Sequence, residues 1–157
     1  MGLVVTGVIA GVSGTLVMDL LNSLFARTGM LSKIDVGMIG RMAVGWTRGR
    51  FRYGHPGEME QIANEMLYGY VTHYAIGVSL AIPYVLGWAL LVGGPASPVW
   101  AIVYGVVTTV ASFFLVLPSM GLGVFGWRSP EGIGLALSSL ANHSFYGVGI
   151  GVGIALR

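Results

Sequence analysis

Residues 67–92 read LYGYVTHYAIGVSLAIPYVLGWALLV and contain no Asp, Glu, Lys or Arg. A helix needs roughly 20 consecutive, mainly apolar residues to cross the hydrocarbon core of a bilayer. This stretch therefore predicts a membrane-spanning helix. Its single histidine, His73, lies about one quarter of the way along it.

Three further stretches have the same character: residues 3–25, 99–117 and 133–156. The chain is 55% hydrophobic and only 9% charged, whereas soluble domains carry roughly 25% charged residues. The sequence predicts an all-α integral membrane protein, a four-helix bundle that forms one domain over residues 1–157. The connection of residues 27–65 is the longest loop.

The basic residues predict the orientation of this bundle. Arg128 lies in the third loop, and only Arg157 falls on the opposite side; the remaining basic residues, all in the first loop, are Arg27, Lys33, Arg41, Arg48, Arg50 and Arg52. Cytoplasmic loops carry the excess of Lys and Arg. We therefore expect the first and third loops in the cytoplasm and both termini outside.

Composition excludes several classes of function. The absence of cysteine excludes disulfides, thiolate metal sites and iron–sulfur clusters. The net charge of +2 is too small to indicate a nucleic-acid partner.

The first loop is predicted to lie partly on the membrane surface. Residues 34–46 are compatible with a short interfacial helix. The arginines of this loop interleave with Phe51 and Tyr53, which favours anchoring at anionic headgroups. Contacts with headgroups, or with the propionates of a cofactor, are expected from Arg41, Arg48, Arg50 and Arg52.

Helices 1 and 2 weakly resemble helices 3 and 4. Thr72-His73 followed by Gly77 aligns with Asn142-His143 followed by Gly147. Two parallel-repeat hairpins would be related by an axis along the membrane normal, placing the two histidines opposite each other. Chance similarity between two glycine-rich helices is the alternative.

Asp19, His73 and His143 are ionisable residues inside apolar stretches. Such residues are costly in a membrane and usually mark a functional site. Each belongs to a stripe of small residues spaced four apart, and such stripes are helix-packing faces. We therefore expect all three side chains to point inward.

The chain also resembles the DUF2938 family of uncharacterised bacterial membrane proteins. The resemblance rests on residues 17–20 (VMDL), 40–41 (GR), 48–51 (RGRF), 72–77 (THYAIG), 118–123 (PSMGLG) and 142–143 (NH) with Gly147. It implies a four-helix protein of the bacterial inner membrane and no assigned activity.

One hypothesis for the site is a single b-type haem. His73 and His143 would ligate the iron, and Gly77 and Gly147, one turn away, would leave room for the macrocycle. Bundle cores are a known place for such sites.

A second hypothesis is a proton- or metal-coupled transporter. Asp19, His73 and His143 supply the ligands of a two-histidine, one-carboxylate metal site, and histidine also titrates near physiological pH. Because four helices are few for a transporter, a homo-oligomer is expected.

A third hypothesis is structural: the same residues would fix helix packing in an accessory or assembly subunit of a larger membrane complex. A stand-alone enzyme is disfavoured. Ser144 adjoins His143, but adjacent helix positions do not face each other.

Overall fold

The computed structural model describes residues 2–156, and within that range it contains helices and no strand. The helices are α1 (Leu3–Arg27), α2 (Val36–Thr47), α3 (Glu65–Leu91), α4 (Pro98–Ser119) and α5 (Ile133–Ala155). Residues Ser112–Val116 of α4 form a π-helical segment. The four long helices begin and end within two residues of the positions expected from hydropathy.

Among the described residues, three helices are long and apolar enough to cross a membrane: α1, α3 and α4. The sequence predicted four, and α5 is the exception. This helix has 23 residues, but the polar residues of its middle lower its hydropathy: Ser138, Ser139, Asn142, His143 and Ser144. Much of α5 is buried against its neighbours, so fewer of its side chains lie on the outer surface of the bundle.

The long helices are arranged in the order α3, α1, α5, α4. Helix α1 packs against α3 on one side and α5 on the other, and α4 packs against α5. Helices α3 and α4 hardly touch, although only six residues connect them. The helices are therefore closely packed everywhere except between α3 and α4.

Glycines allow the close helix crossings. A Cβ added to Gly11 of α1 would lie 2.9 Å from the carbonyl oxygen of Gly77 of α3. A Cβ added to Gly105 of α4 would lie 2.6 Å from the Cα of Gly147 of α5. Both helix pairs, α1 with α3 and α4 with α5, thus cross at two facing glycines.

Helices α3 and α4 meet at the end where their short loop joins them. The rings of Tyr84 and Tyr104 lie 4.9 Å apart, and the Tyr104 hydroxyl donates to the carbonyl oxygen of Leu80 at 2.7 Å. Towards the opposite end the two helices separate, and this separation leaves space between the long helices.

Helix α2 packs beside α3 at the end of the molecule that carries the first loop. Asp35 caps it, with Oδ1 accepting from the Met38 amide at 2.9 Å. A second small core joins α2 to the loops and to the end of α4; its buried members are Ile39, Met42, Tyr53, Met59 and Met120. Helix α2 therefore bridges α3 and the end of α4 on this side, which we call the loop end.

Candidate functional site: a cavity with two histidines

A cavity of about 450 Å³ occupies the space between the separating helices. Its walls are mainly apolar, with Ile76, Leu80, Val116 and Leu117 among them. Its polar residues form two groups. One group lies at the loop end: Ser32, Lys33, Asp35 and Glu131. The other group belongs to α3 and α5: His73, Asn142, His143 and Tyr146.

His73 is held by a hydrogen bond to α1. Its Nε2 lies 2.9 Å from Oδ1 of Asp19. The side chains are 11% and 23% exposed, respectively. Because His73 lines the cavity and Asp19 does not, the carboxylate supports the histidine from behind the cavity wall.

His143 is held by Thr108 of α4. The Thr108 hydroxyl lies 2.6 Å from the carbonyl oxygen of Gly105 and 2.8 Å from Nδ1 of His143. A hydroxyl has one proton, so it donates to the carbonyl and accepts from Nδ1–H. This assignment leaves the lone pair of His143 on Nε2.

The loop end of the cavity is closed by residues 32–35, which Asn22 fixes in place. Its amide nitrogen donates to the carbonyl oxygen of Ser32 at 2.9 Å and to Oδ1 of Asn142 at 3.0 Å. Its oxygen accepts from the Ile34 amide at 3.1 Å. A buried asparagine thus ties α1, α5 and the covering segment together.

The structure brings two of the three predicted ionisable residues to one cavity. His73 and His143 both line it, from the diagonally placed helices α3 and α5. Asp19 reaches the site only through its bond to His73, from the side of α1 that faces α3. Within residues 2–156, no three His, Asp or Glu side chains are grouped closely enough to hold a metal ion.

Nε2 of His73 is engaged by Asp19 at 2.9 Å, so iron ligation through this nitrogen would require that bond to break, whereas ligation through Nδ1 would not. Haem binding stays a prediction. The absorption spectrum of the purified, dithionite-reduced protein tests it directly.

Gly77 and Gly147 serve helix packing in this arrangement. A Cβ at Gly147 would lie 2.6 Å from the carbonyl oxygen of Ala101. A Cβ at Gly77 would meet Oγ1 of Thr15. The neighbouring helix therefore lies on the Cβ side of each glycine, although Gly77 also lines the cavity.

Two of the four predicted headgroup arginines are already paired. Arg41 forms two hydrogen bonds with the Glu65 carboxylate, at 2.7 and 3.0 Å, and this pairing raises the pKa of Arg41. Arg50 contacts Glu58 at 2.8 Å and lies over the Tyr53 ring. Arg48 and Arg52 are exposed.

Three residues of the site were not predicted from the sequence: Thr108, Ser138 and Glu131. Thr108 orients His143, while Ser138 and Glu131 hold the segment that closes the loop end, through hydrogen bonds to Ser32. Their partners are distant in sequence, so no local spacing rule marks them. Serine and threonine in membrane helices are also common packing residues.

Comparison with family models gave a match over nearly the whole chain. The family described as "Protein of unknown function (DUF2938)" matches residues 8–156. The chain belongs to the DUF2938 family. The match confirms the resemblance predicted from the sequence. Comparisons with curated proteins and with solved structures gave no match.

Proposed function

We propose that this DUF2938 protein is a four-helix integral membrane protein that acts as a small proton-coupled transporter. The observation that carries the proposal is the shared cavity of His73 and His143, with Asp19 bonded to His73. A cavity of this kind supplies a binding space, and the bonded pair supplies an exchangeable proton.

The membrane setting rests on three helices with suitable length and composition. Helix α5 would be the fourth span, shielded from lipid on much of its surface by α1 and α4. The excess of basic residues in the first and third loops favours a cytoplasmic position for these loops at a bacterial inner membrane. Arg48 and Arg52 would contact anionic headgroups there.

The cavity has the size and composition of a ligand site. Small-molecule pockets occupy roughly 300–1,000 Å³ and combine apolar walls with a few polar groups. This cavity has about 450 Å³, mainly apolar walls and two histidines. The ligand therefore has a largely apolar body.

The Asp19–His73 pair suits proton exchange. Histidine is the side chain that most readily changes protonation near neutral pH. An isolated charge inside a membrane is costly, so the pair is favoured when it carries one proton and no net charge. Loss of that proton is favoured when a bound ligand compensates the remaining charge.

Access to the cavity tests this proposal. The chain contains no cysteine, so single cysteines can be introduced without other changes. Ser139→Cys places a thiol on the cavity wall, and Val107→Cys places one on an exposed face of α4. Each variant is reconstituted in liposomes and treated with a charged, membrane-impermeant thiol reagent from one side at a time.

A transporter exposes its site to each side in turn, so Ser139→Cys should react from both sides, at unequal rates. Val107→Cys should react from neither side, since lipid surrounds it. Reaction of Ser139→Cys from the loop side alone would contradict transport. Absence of reaction from both sides would contradict an accessible cavity.

A further inference from the structure

We propose that the ligand of this cavity is a lipophilic organic cation, bound in exchange for one proton of the Asp19–His73 pair. This inference rests on the proposed function and names its substrate class. The carrying observation is the placement of Asp19 directly behind His73, on the wall of a cavity whose lining is mainly apolar.

The charges around the cavity favour a cation. Lys33 is the single Lys or Arg among the lining residues of the described chain, whereas Asp35 and Glu131 are both acidic. Asp19 adds a third carboxylate one side chain behind the wall. Because charges interact more strongly where water is excluded, Asp19 acts over this distance much better than it would in solvent.

The groups facing His73 come from every element around it. Helix α1 contributes Asp19, and Tyr74 of α3 lies close to the same carboxylate. Helix α5 contributes His143 and Tyr146, while the lining residues of α4 are not titratable. Lys33, Asp35 and Glu131 lie at the loop end. Asp19 is therefore the carboxylate nearest to His73.

Exchange keeps the charge of the site constant. Before binding, the pair holds one proton shared between Asp19 and His73, and its net charge is zero. When a monovalent cation enters, the proton leaves to water, the pair becomes an ionised Asp19 beside neutral His73, and the cation restores neutrality. No bond within the ligand is made or broken.

The apolar walls of the cavity indicate that the ligand has an apolar body. Apolar contacts come from Ile76, Leu80, Val116 and Leu117. Without Asp19, an apolar cavity would exclude a cation, because burial of an unpaired charge is costly. Tetraphenylphosphonium is a suitable probe, because its apolar rings surround a delocalised positive charge. Tetraphenylborate is its matched control, with nearly the same shape and the opposite charge.

The experiment measures binding of both probes to the full chain in lipid nanodiscs by isothermal titration calorimetry, with protein-free nanodiscs as background. We expect tetraphenylphosphonium to bind, more tightly at pH 8 than at pH 6, and to release one proton. Tetraphenylborate should show no binding above background. Equal binding of the two probes, or binding without proton release, would overturn the inference.

Two variants test whether cation binding depends on Asp19. Asp19→Asn should weaken tetraphenylphosphonium binding by about tenfold or more and abolish proton release, because the variant lacks the carboxylate. A tenfold change in affinity corresponds to about 1.4 kcal/mol of binding free energy. Glu60→Gln removes an exposed carboxylate that does not line the cavity; it should change the affinity less than about threefold, because solvent screens that charge. Circular dichroism confirms that each variant folds. Equal losses of tetraphenylphosphonium affinity in the two variants would overturn the role of Asp19.

Failure of this inference differs from failure of the proposed function. If neither probe binds while Ser139→Cys reacts from both sides of the membrane, the substrate class is wrong and transport stands. If Ser139→Cys reacts from neither side, the proposed function itself is wrong.

Discussion

Nε2 of His73 lies 2.9 Å from Oδ1 of Asp19, which joins α3 to α1 across 54 positions of sequence. The bond connects a side chain of the cavity wall with a carboxylate outside it. The bond therefore fixes the orientation of both side chains.

Gly105→Ala should destabilise the protein. The added methyl group would lie 2.5 Å from the carbonyl oxygen of His143 and 2.6 Å from the Cα of Gly147, so α4 and α5 must move apart. Overpacking of this kind costs roughly 1–3 kcal/mol, measured as the free energy of unfolding in a detergent titration. Gly87→Ala is the matched control, because nothing lies within 4 Å of its added Cβ; an equal loss in both variants would contradict the close crossing.

Asn22→Ala should release the segment that closes the cavity at the loop end. Removing this side chain leaves the Ile34 amide and the Ser32 carbonyl without their partner. Loss of a buried hydrogen-bonding partner costs about 1–3 kcal/mol. Hydrogen–deuterium exchange at residues 32–35 should accelerate, while Ser23→Ala, at an exposed neighbouring position, should leave it unchanged.

The loop around Glu58 should loosen in acid. Its carboxylate accepts from the Gly54 amide and contacts Arg50, and the hydrogen bond from the Gly54 amide, followed by the nearby charges, lowers the pKa of Glu58. A carboxylate with a lowered pKa in the folded protein stabilises the fold above its ordinary pKa, and this contribution is lost as pH falls through the lowered value. Amide exchange at residues 54–58, corrected for its intrinsic pH dependence, should therefore rise below about pH 4.5, the ordinary value for glutamate.

Glu58→Gln checks that prediction. The variant cannot ionise, so its exchange at residues 54–58 should be fast at neutral pH and should not respond to acid. A response to acid equal to that of the unchanged protein would assign the effect to another group. Because Glu58 lies at the surface, with 35% of its side chain exposed, the change should stay local to this loop.

Hydropathy was sufficient to predict the long helices, because their apolar runs are uninterrupted. It overestimated the apolar character of α5, whose polar centre is hydrogen-bonded to side chains of α1 and α4. The facing positions of His73 and His143 were expected from the weak repeat. The repeat did not indicate that α3 and α4 separate. These helices contact each other near the hairpin, at Tyr84 and Tyr104, and lie apart towards the loop end.

The position of Asp19 behind the cavity wall could not be predicted, for a physical reason. Helix α1 has two faces of small residues. Gly7 and Gly11 face α3, whereas Gly14 faces Tyr146 of α5. Sequence spacing places Asp19 on the first face but does not say which face borders the cavity. The packing partner of α2 could not be predicted from the sequence either, because its contact with Met120 depends on tertiary packing.

The most direct test of the central claim is the sided labelling of Ser139→Cys in liposomes. Ser139 lines the cavity between α4 and α5, with its hydroxyl 2.9 Å from that of Ser112. Thr28→Cys in the first loop and Val92→Cys at the hairpin define the two sides, since both positions are exposed. The account predicts reaction of the Ser139→Cys thiol from both sides, slowed by tetraphenylphosphonium; a thiol that reacts from one side only would contradict transport through this cavity.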